Sequence, residues 1–242
     1  MRYRTQLVHT NPAARRNLDD GVELESPGAE PVATTTEPVV TGTGLKLVIR
    51  PIRPEDKPLL ADGFERLSAR SRYRRFFRPL DRLSIRDLAY LTEIDHRDHE
   101  ALVALDPETG HLIGVARYVR SGEPDYAEVS VVVGDPWQRR GVATALLERL
   151  VERAREAGVT HFVALVMDEN TEALQLFEHR APGQPPPRRS KSGHLELLMD
   201  LPEPGRVRES TLGRVLHAVA YGAVVVNPYR VTRDAIGRLR GE

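Results

Sequence analysis

Apolar and polar positions along this chain alternate between two periods, and the switches between them mark the elements. Leu45–Arg50 reads as a strand that Pro51 ends. Pro54-Glu55-Asp56 opens a helix, with proline in the first turn and acids at the positive end of the dipole, and that helix is expected to run to about Leu67. A second helix, capped by Ser84, runs to Thr92. Ala101–Leu105 and Leu112–Val119 form a hairpin around an Asp106–Gly110 turn, and Ala127–Val133 is a third antiparallel neighbour. Within it the β-branched run Val129–Val133 suits a buried strand, which Gly134, Asp135 and Pro136 stop. From there the period changes. Val142, Leu146, Leu147, Leu150, Val151 and Ala154 fall three or four apart, so one face of a helix is apolar. Gly158 stands where a C-terminal glycine cap belongs. Strand His161–Val166, helix Thr171–Glu178 and strand His194–Leu201 complete the pattern.

The flanks carry little of it. Residues 1–44 are expected to be a disordered extension, since Pro, Thr, Glu and Gly dominate Glu23–Gly44. The folded domain is expected over 45–203. A linker and helical tail fill 204–242, with apolar spacing over Thr211–Arg240 suited to short helices that pack on the domain. The basic run Arg70–Arg78 reads as a solvated helix face whose Tyr73, Phe76 and Phe77 pack inward. The alternative is a surface for an acidic partner.

Composition narrows the chemistry. The formal net charge is +0, so no global field recruits nucleic acid or a membrane. There are no cysteines, which excludes disulfides, thiolate metal sites and a cysteine nucleophile. No leader-like apolar stretch follows Arg15-Arg16, and no apolar run approaches the roughly 18 residues of a membrane span, so a cytoplasmic protein is expected. Asp95-His96-Arg97-Asp98-His99-Glu100 reads as a polar turn, and no metal is expected. No G-x-S-x-G elbow offers a serine nucleophile.

The stretch Val129–Gly158 holds the candidate site. A strand, a basic glycine-bearing turn and a helix N-terminus suit an anion, because the first helical N–H groups lack internal partners and the dipole adds positive charge. The turn is Gln138-Arg139-Arg140-Gly141-Val142-Ala143, where Gly141 allows close backbone approach and small Ala143 keeps the entrance open. Neither the dinucleotide nor the P-loop spacing is present. On spacing alone, an ordinary solvated turn remains open.

These residues resemble the [QR]-x-x-G-x-[GA] signature of the GNAT superfamily of N-acetyltransferases. Arg50-Pro51-Ile52-Arg53-Pro54-Glu55-Asp56 and Ser71-Arg72-Tyr73-Arg74-Arg75-Phe76-Phe77 are similar to the GNAT domain of bacterial Pat-type protein lysine acetyltransferases, here as a stand-alone relative. The resemblance implies an α/β (α+β) fold with a mixed, splayed, mostly antiparallel sheet flanked by helices. It implies acetyl-CoA, or another acyl-CoA, as co-substrate. Its pyrophosphate would lie on Gln138, Arg139, Arg140, Gly141, Val142, Ala143 and Thr144, and its pantetheine arm along Val131, Val132 and Val133, with Asn170 as a further contact. Proline at 136 cannot donate, so N–H groups come from Arg139–Thr144.

The reaction implied is direct acyl transfer to a primary amine. An amine with pKa near 10.4 is about one part in 10³ unprotonated at neutral pH, so a base is needed. Glu128 is the candidate, both from strand alternation, which puts it on the face with Tyr126 and Ser130, and from the resemblance. An exposed glutamate or an ion pair with Arg117 are the plainer roles. Backbone N–H groups near Val131–Val133 would polarise the thioester. A protein lysine is the expected acceptor. A small-molecule amine, or an acyl-CoA-binding module without turnover, are the alternatives. Two departures from the family bear on this: Phe177 stands where many members carry an acid-catalyst tyrosine, and Ala181–Ser192 is a proline-rich basic stretch in place of a full strand.

Overall fold

A computed structural model describes residues 36–76, 80–120, 123–167, 188–189, 194–203, 205–207, 210 and 212–213. The strands are β1 (Glu37–Val40), β2 (Lys46–Pro51), β3 (His99–Leu105), β4 (Leu112–Arg120), β5 (Tyr126–Val133), β6 (His161–Met167), β7 (Arg188–Arg189) and β8 (His194–Asp200). They form one sheet in the order β1-β2-β3-β4-β5-β6-β8-β7. Every neighbouring pair is antiparallel except β5 and β6, which run parallel. Helices α1 (Lys57–Glu65), α2 (Ala69–Phe76) and α3 (Ile85–Thr92) lie between β2 and β3, and α4 (Val142–Glu156) joins β5 to β6.

The parallel pair is what shapes the site. β5 and β6 share a ladder only where Tyr126, Ala127 and Glu128 face His161, Phe162 and Val163. β5 then continues to Val133 paired with β4 alone, while β6, paired with β8 along its whole length, keeps only that partner beyond Val163. The sheet therefore splays beyond Glu128, beside the N-terminal end of α4. This is the mixed, mostly antiparallel architecture expected from the sequence.

α4 forms because its apolar residues share one stripe, and all of Val142, Ala143, Ala145, Leu146, Leu147, Leu150, Val151 and Ala154 are buried. They pack on Leu47, Ile49, Leu102, Ala116, Tyr118, Val129, Val131, Val133, Phe162, Leu197 and Met199 of the sheet. Each large aliphatic side chain buried there contributes about 1.5–3 kcal/mol. The helix ends on Gly158, whose φ is +84°. Val159 N–H returns to the Ala154 carbonyl at 2.8 Å and Gly158 N–H to Arg155 at 2.9 Å, a Schellman closure. A smaller cluster of Ile52, Leu60, Leu91, Ala101, Val103, Leu112 and Val115 covers the opposite face beneath α1 and α3.

Three sequence expectations need correction. First, structure begins before residue 45. Glu37–Val40 pairs antiparallel with β2, its β-branched Val39-Val40 being too short a run to register against the polar extension. Second, the helix expected from Pro54 to Leu67 is a 3-10 turn over Pro54–Asp56 followed by α1, which stops at Glu65. Third, Tyr73 does not pack inward: it is 43% exposed. α2 is a short helix at the surface, and its partners come through side-chain hydrogen bonds. Arg72 donates to the Glu65, Leu67 and Asp81 carbonyls and lies 4.9 Å over the Phe64 ring. Within the proline-rich stretch the described residues are Arg188–Arg189, which form β7 beside β8. Asn170, helix Thr171–Glu178 with Phe177, the side chains of Phe76 and Phe77, and most of the C-terminal tail lie outside the described residues.

Candidate active site

The turn between β5 and α4 presents bare backbone at a helix N-terminus. Asp135–Trp137 makes one 3-10 turn and Gly141 is the N-cap of α4 with φ +82°. Arg139 also has a positive φ, +64°. Two left-handed residues so close together force a tight reversal, and glycine is the residue that adopts this conformation without cost. A Cβ on Gly141 would also stand 3.1 Å from the Cβ of Thr41. Among the described residues no side chain caps α4, so its first N–H groups keep their hydrogen-bonding capacity for a ligand.

The expected site residues divide by role. Gln138 turns inward, its Nε2 donating to the Val133 carbonyl at 3.1 Å, so it ties the end of β5 to the turn. Arg139 and Arg140 are exposed, and Thr144 is half-buried. Val142 and Ala143 are buried, so their side chains serve the core and only their backbone is left for a ligand. Val131 and Val133 point at α4, while Val132 points to the opposite face. All three lie on the part of β5 beyond the β5–β6 ladder.

On that opposite face, strand alternation places Tyr126, Glu128 and Ser130 in line. Glu128 is only 7% exposed, so it is not a solvated strand glutamate. It pairs in register with Val119 of β4 and Val163 of β6, at the last rung before the splay. Arg117, opposite Ser130, is 2% exposed. Its guanidinium donates to His99 Nε2 at 2.7 Å and to the Leu91 carbonyl at 3.0 Å. Because arginine can only donate, that His99 nitrogen is the unprotonated one. Next to Arg117, a cleft opens between α1, α3 and β4–β5. Leu60, Phe64, Leu91, Val115 and Val132 give it an apolar lining.

Two charged anchors hold the surroundings in place. Asp135 accepts from Ser68 N–H (2.9 Å), Ser68 Oγ (3.0 Å) and Ser71 Oγ (2.8 Å), tying the start of α2 to the turn after β5. Burial opposes ionisation of Asp135, but these hydrogen bonds outweigh it and its pKa lies below the ordinary carboxylate value. Arg50 grips Asp56 through two bonds of 2.6 Å, and Arg53 N–H adds a third at 2.9 Å. In the same way they overcome burial and lower the Asp56 pKa. The polar groups of the Asp95–Glu100 stretch are engaged both within it and across the fold, where Arg153 of α4 donates to Glu100 at 3.1 Å. Asp95 accepts from three backbone N–H groups, and His96 Nδ1 meets buried Glu100 at 2.8 Å. Among the described residues no group of His, Asp or Glu is placed to hold a metal ion.

Sequence reasoning missed the contributions of Thr41, Thr43, Asp135 and Arg50–Asp56. One signal for the first pair was present: Thr41-Gly42-Thr43-Gly44 between β-branched and apolar runs is a hairpin turn. The other contacts join residues far apart in the chain, and no local pattern announces them.

The splayed sheet with a bare helix N-terminus at its gap is an arrangement that known acetyltransferases share. The Acetyltransferase (GNAT) family matches residues 65–181. Acetyltransferase Pat of Mycolicibacterium smegmatis is 35% identical over 145 residues, 60% of this chain and 43% of that protein. Acetyltransferase PA5475 of Pseudomonas aeruginosa is 33% identical over 117 residues, 48% of this chain and 63% of that protein. The crystal structure of the GNAT domain of S. lividans PAT superposes with a TM-score of 0.60 at 34% identity, covering 69% of this chain and 97% of that one. The chain belongs to the GNAT acetyltransferase family. It spans less than two thirds of the length of the two curated relatives.

Proposed function

We propose that the protein moves an acetyl or related acyl group from acyl-CoA directly to a primary amine, and that the amine is a protein lysine. The observation that carries this is the division of labour on β5. Beyond Glu128 the strand leaves its ladder with β6 beside an uncapped α4, and Glu128 itself is buried on the other face at the last rung.

In this reading the Arg139–Thr144 backbone binds the pyrophosphate, with Asn170 as a further contact. Val131–Val133 aligns the pantetheine arm and offers N–H groups to the thioester oxygen as it gains charge. The acceptor ammonium, with a pKa near 10.4, gives a proton to Glu128. The neutral nitrogen attacks the thioester carbon, the C–N bond forms and the C–S bond breaks. The CoA sulfur leaves as a thiolate, the nitrogen sheds its second proton to solvent as the amide forms, the thiolate takes one from solvent, and Glu128 returns its own to solvent. The lysine acceptor is supported by the similarity to Pat-named proteins, carried here through Arg50–Asp56 and Ser71–Phe77. A cytoplasmic setting goes with this reading; among the described residues no helix is long and apolar enough to cross a membrane.

The test is CoA release from acetyl-CoA with lysine-bearing proteins and with small amines offered separately, followed by mass spectrometry of the products. Acetyl-lysine in protein is expected. Turnover with small amines alone would replace the acceptor, and binding without turnover on either would leave an acyl-CoA-binding module.

A further inference from the structure

The β1–β2 turn reaches across to the turn that precedes α4. Thr43 Oγ1 donates to the Arg140 carbonyl at 2.9 Å. A hydroxyl has one hydrogen, so with that hydrogen committed, the 3.0 Å contact between Thr41 Oγ1 and Thr43 Oγ1 runs from Thr41 to Thr43. Thr41 Oγ1 accepts in turn from Leu45 N–H at 3.2 Å. The bonds form one directed series from Leu45 N–H through two hydroxyls to the Arg140 carbonyl. The hairpin turn is itself closed by Thr41 N–H to Leu45 and Gly44 N–H to Thr41, both 2.9 Å, and Thr41 is buried against Gly141.

In a trans peptide the C=O and N–H point in opposite directions. The described chain has no cis peptide bond. Holding the Arg140 carbonyl toward Thr43 therefore turns the Gly141 N–H away from the hairpin. We infer that Thr43 is a positioning residue for the diphosphate of the acyl donor: it orients the Arg140–Gly141 peptide so that the Gly141 N–H serves the anion. The inference rests on the acyl-CoA reading above. It concerns a hairpin outside the residues 65–181 that match the family.

The experiment is isothermal titration of the full chain with acetyl-CoA and with S-acetylpantetheine, which lacks the diphosphate. Thr43→Val keeps the shape and removes the donor. It is expected to weaken acetyl-CoA about fivefold, the scale of one net hydrogen bond, and to leave S-acetylpantetheine unchanged. Thr43→Ser restores the hydroxyl and is expected to restore affinity. Thr43→Ala is to match the valine variant, which guards against poor folding of either one. Equal acetyl-CoA affinity in wild type and Thr43→Val overturns the inference alone, as does an equal loss with both ligands, which marks general loosening. A wild-type chain that binds neither ligand overturns the acyl-CoA reading and this inference with it.

Discussion

The eight residues of β5 divide four and four between its two faces, which do different work. Toward α4, Ala127, Val129, Val131 and Val133 are closed into the main core. Toward α1 and α3, Tyr126, Glu128, Ser130 and Val132 share their side with buried Arg117 and an apolar cleft. The first face holds a helix so that its terminus can present backbone. The second face carries side chains with chemistry. In such a strand, changes on the core face should act on stability and on donor binding, and changes on the polar face should act on turnover.

The largest expected effect breaks the polar face alone. Glu128→Gln should lower kcat at least about 10²-fold near neutral pH, the usual scale for losing a general base, with the KM for acetyl-CoA little changed. Leu147→Ala does the reverse. Leu147, on the sheet-facing stripe of α4, is fully buried, and its truncation should cost about 2–5 kcal/mol of stability, read from urea unfolding.

Next comes an anchor away from both faces. Asp56→Asn removes the charge that Arg50 grips and should cost about 1.5–3 kcal/mol at pH 7. The folded-state pKa of Asp56 is lowered from 3.8, so its contribution is complete above that value and is lost as pH falls through the depressed one. Wild type and variant should therefore draw together in stability as unfolding is followed to pH values progressively below 3.8. The smallest effect is Gly141→Ala, which forces a side chain into φ +82° against Thr41. It should cost about 1 kcal/mol of stability and weaken acetyl-CoA severalfold.

This ordering also explains what the sequence could show. α4 was legible from Val142 to the Gly158 cap because its stripe is periodic and its end is a glycine. The alternation of β5 put Glu128 opposite the valines, where the structure has it. The segments Arg50–Asp56 and Ser71–Phe77 were legible as a resemblance and opaque as physics. Their described side chains turn out to hold the fold, Arg50 on Asp56, Ser71 on Asp135 and Arg72 on three carbonyls. Such contacts carry no period, so neither amphipathic pattern nor turn chemistry reveals them. β1 escaped for a related reason: four residues, with Val40 exposed at the sheet edge, give almost no hydrophobic signal. Tyr73 was misplaced because spacing alone does not say which side of a short surface helix faces the core, and in α2 Tyr73 faces solvent.

The central claim is that donor binding and proton removal sit on opposite faces of one strand. Its most direct test is to titrate acetyl-CoA into wild type and Glu128→Gln and, on the same preparations, to measure CoA release with a lysine-bearing acceptor. The account predicts equal affinities and a turnover lost only in the variant. Undiminished turnover in Glu128→Gln, or an affinity loss that accounts for the whole defect, would contradict it.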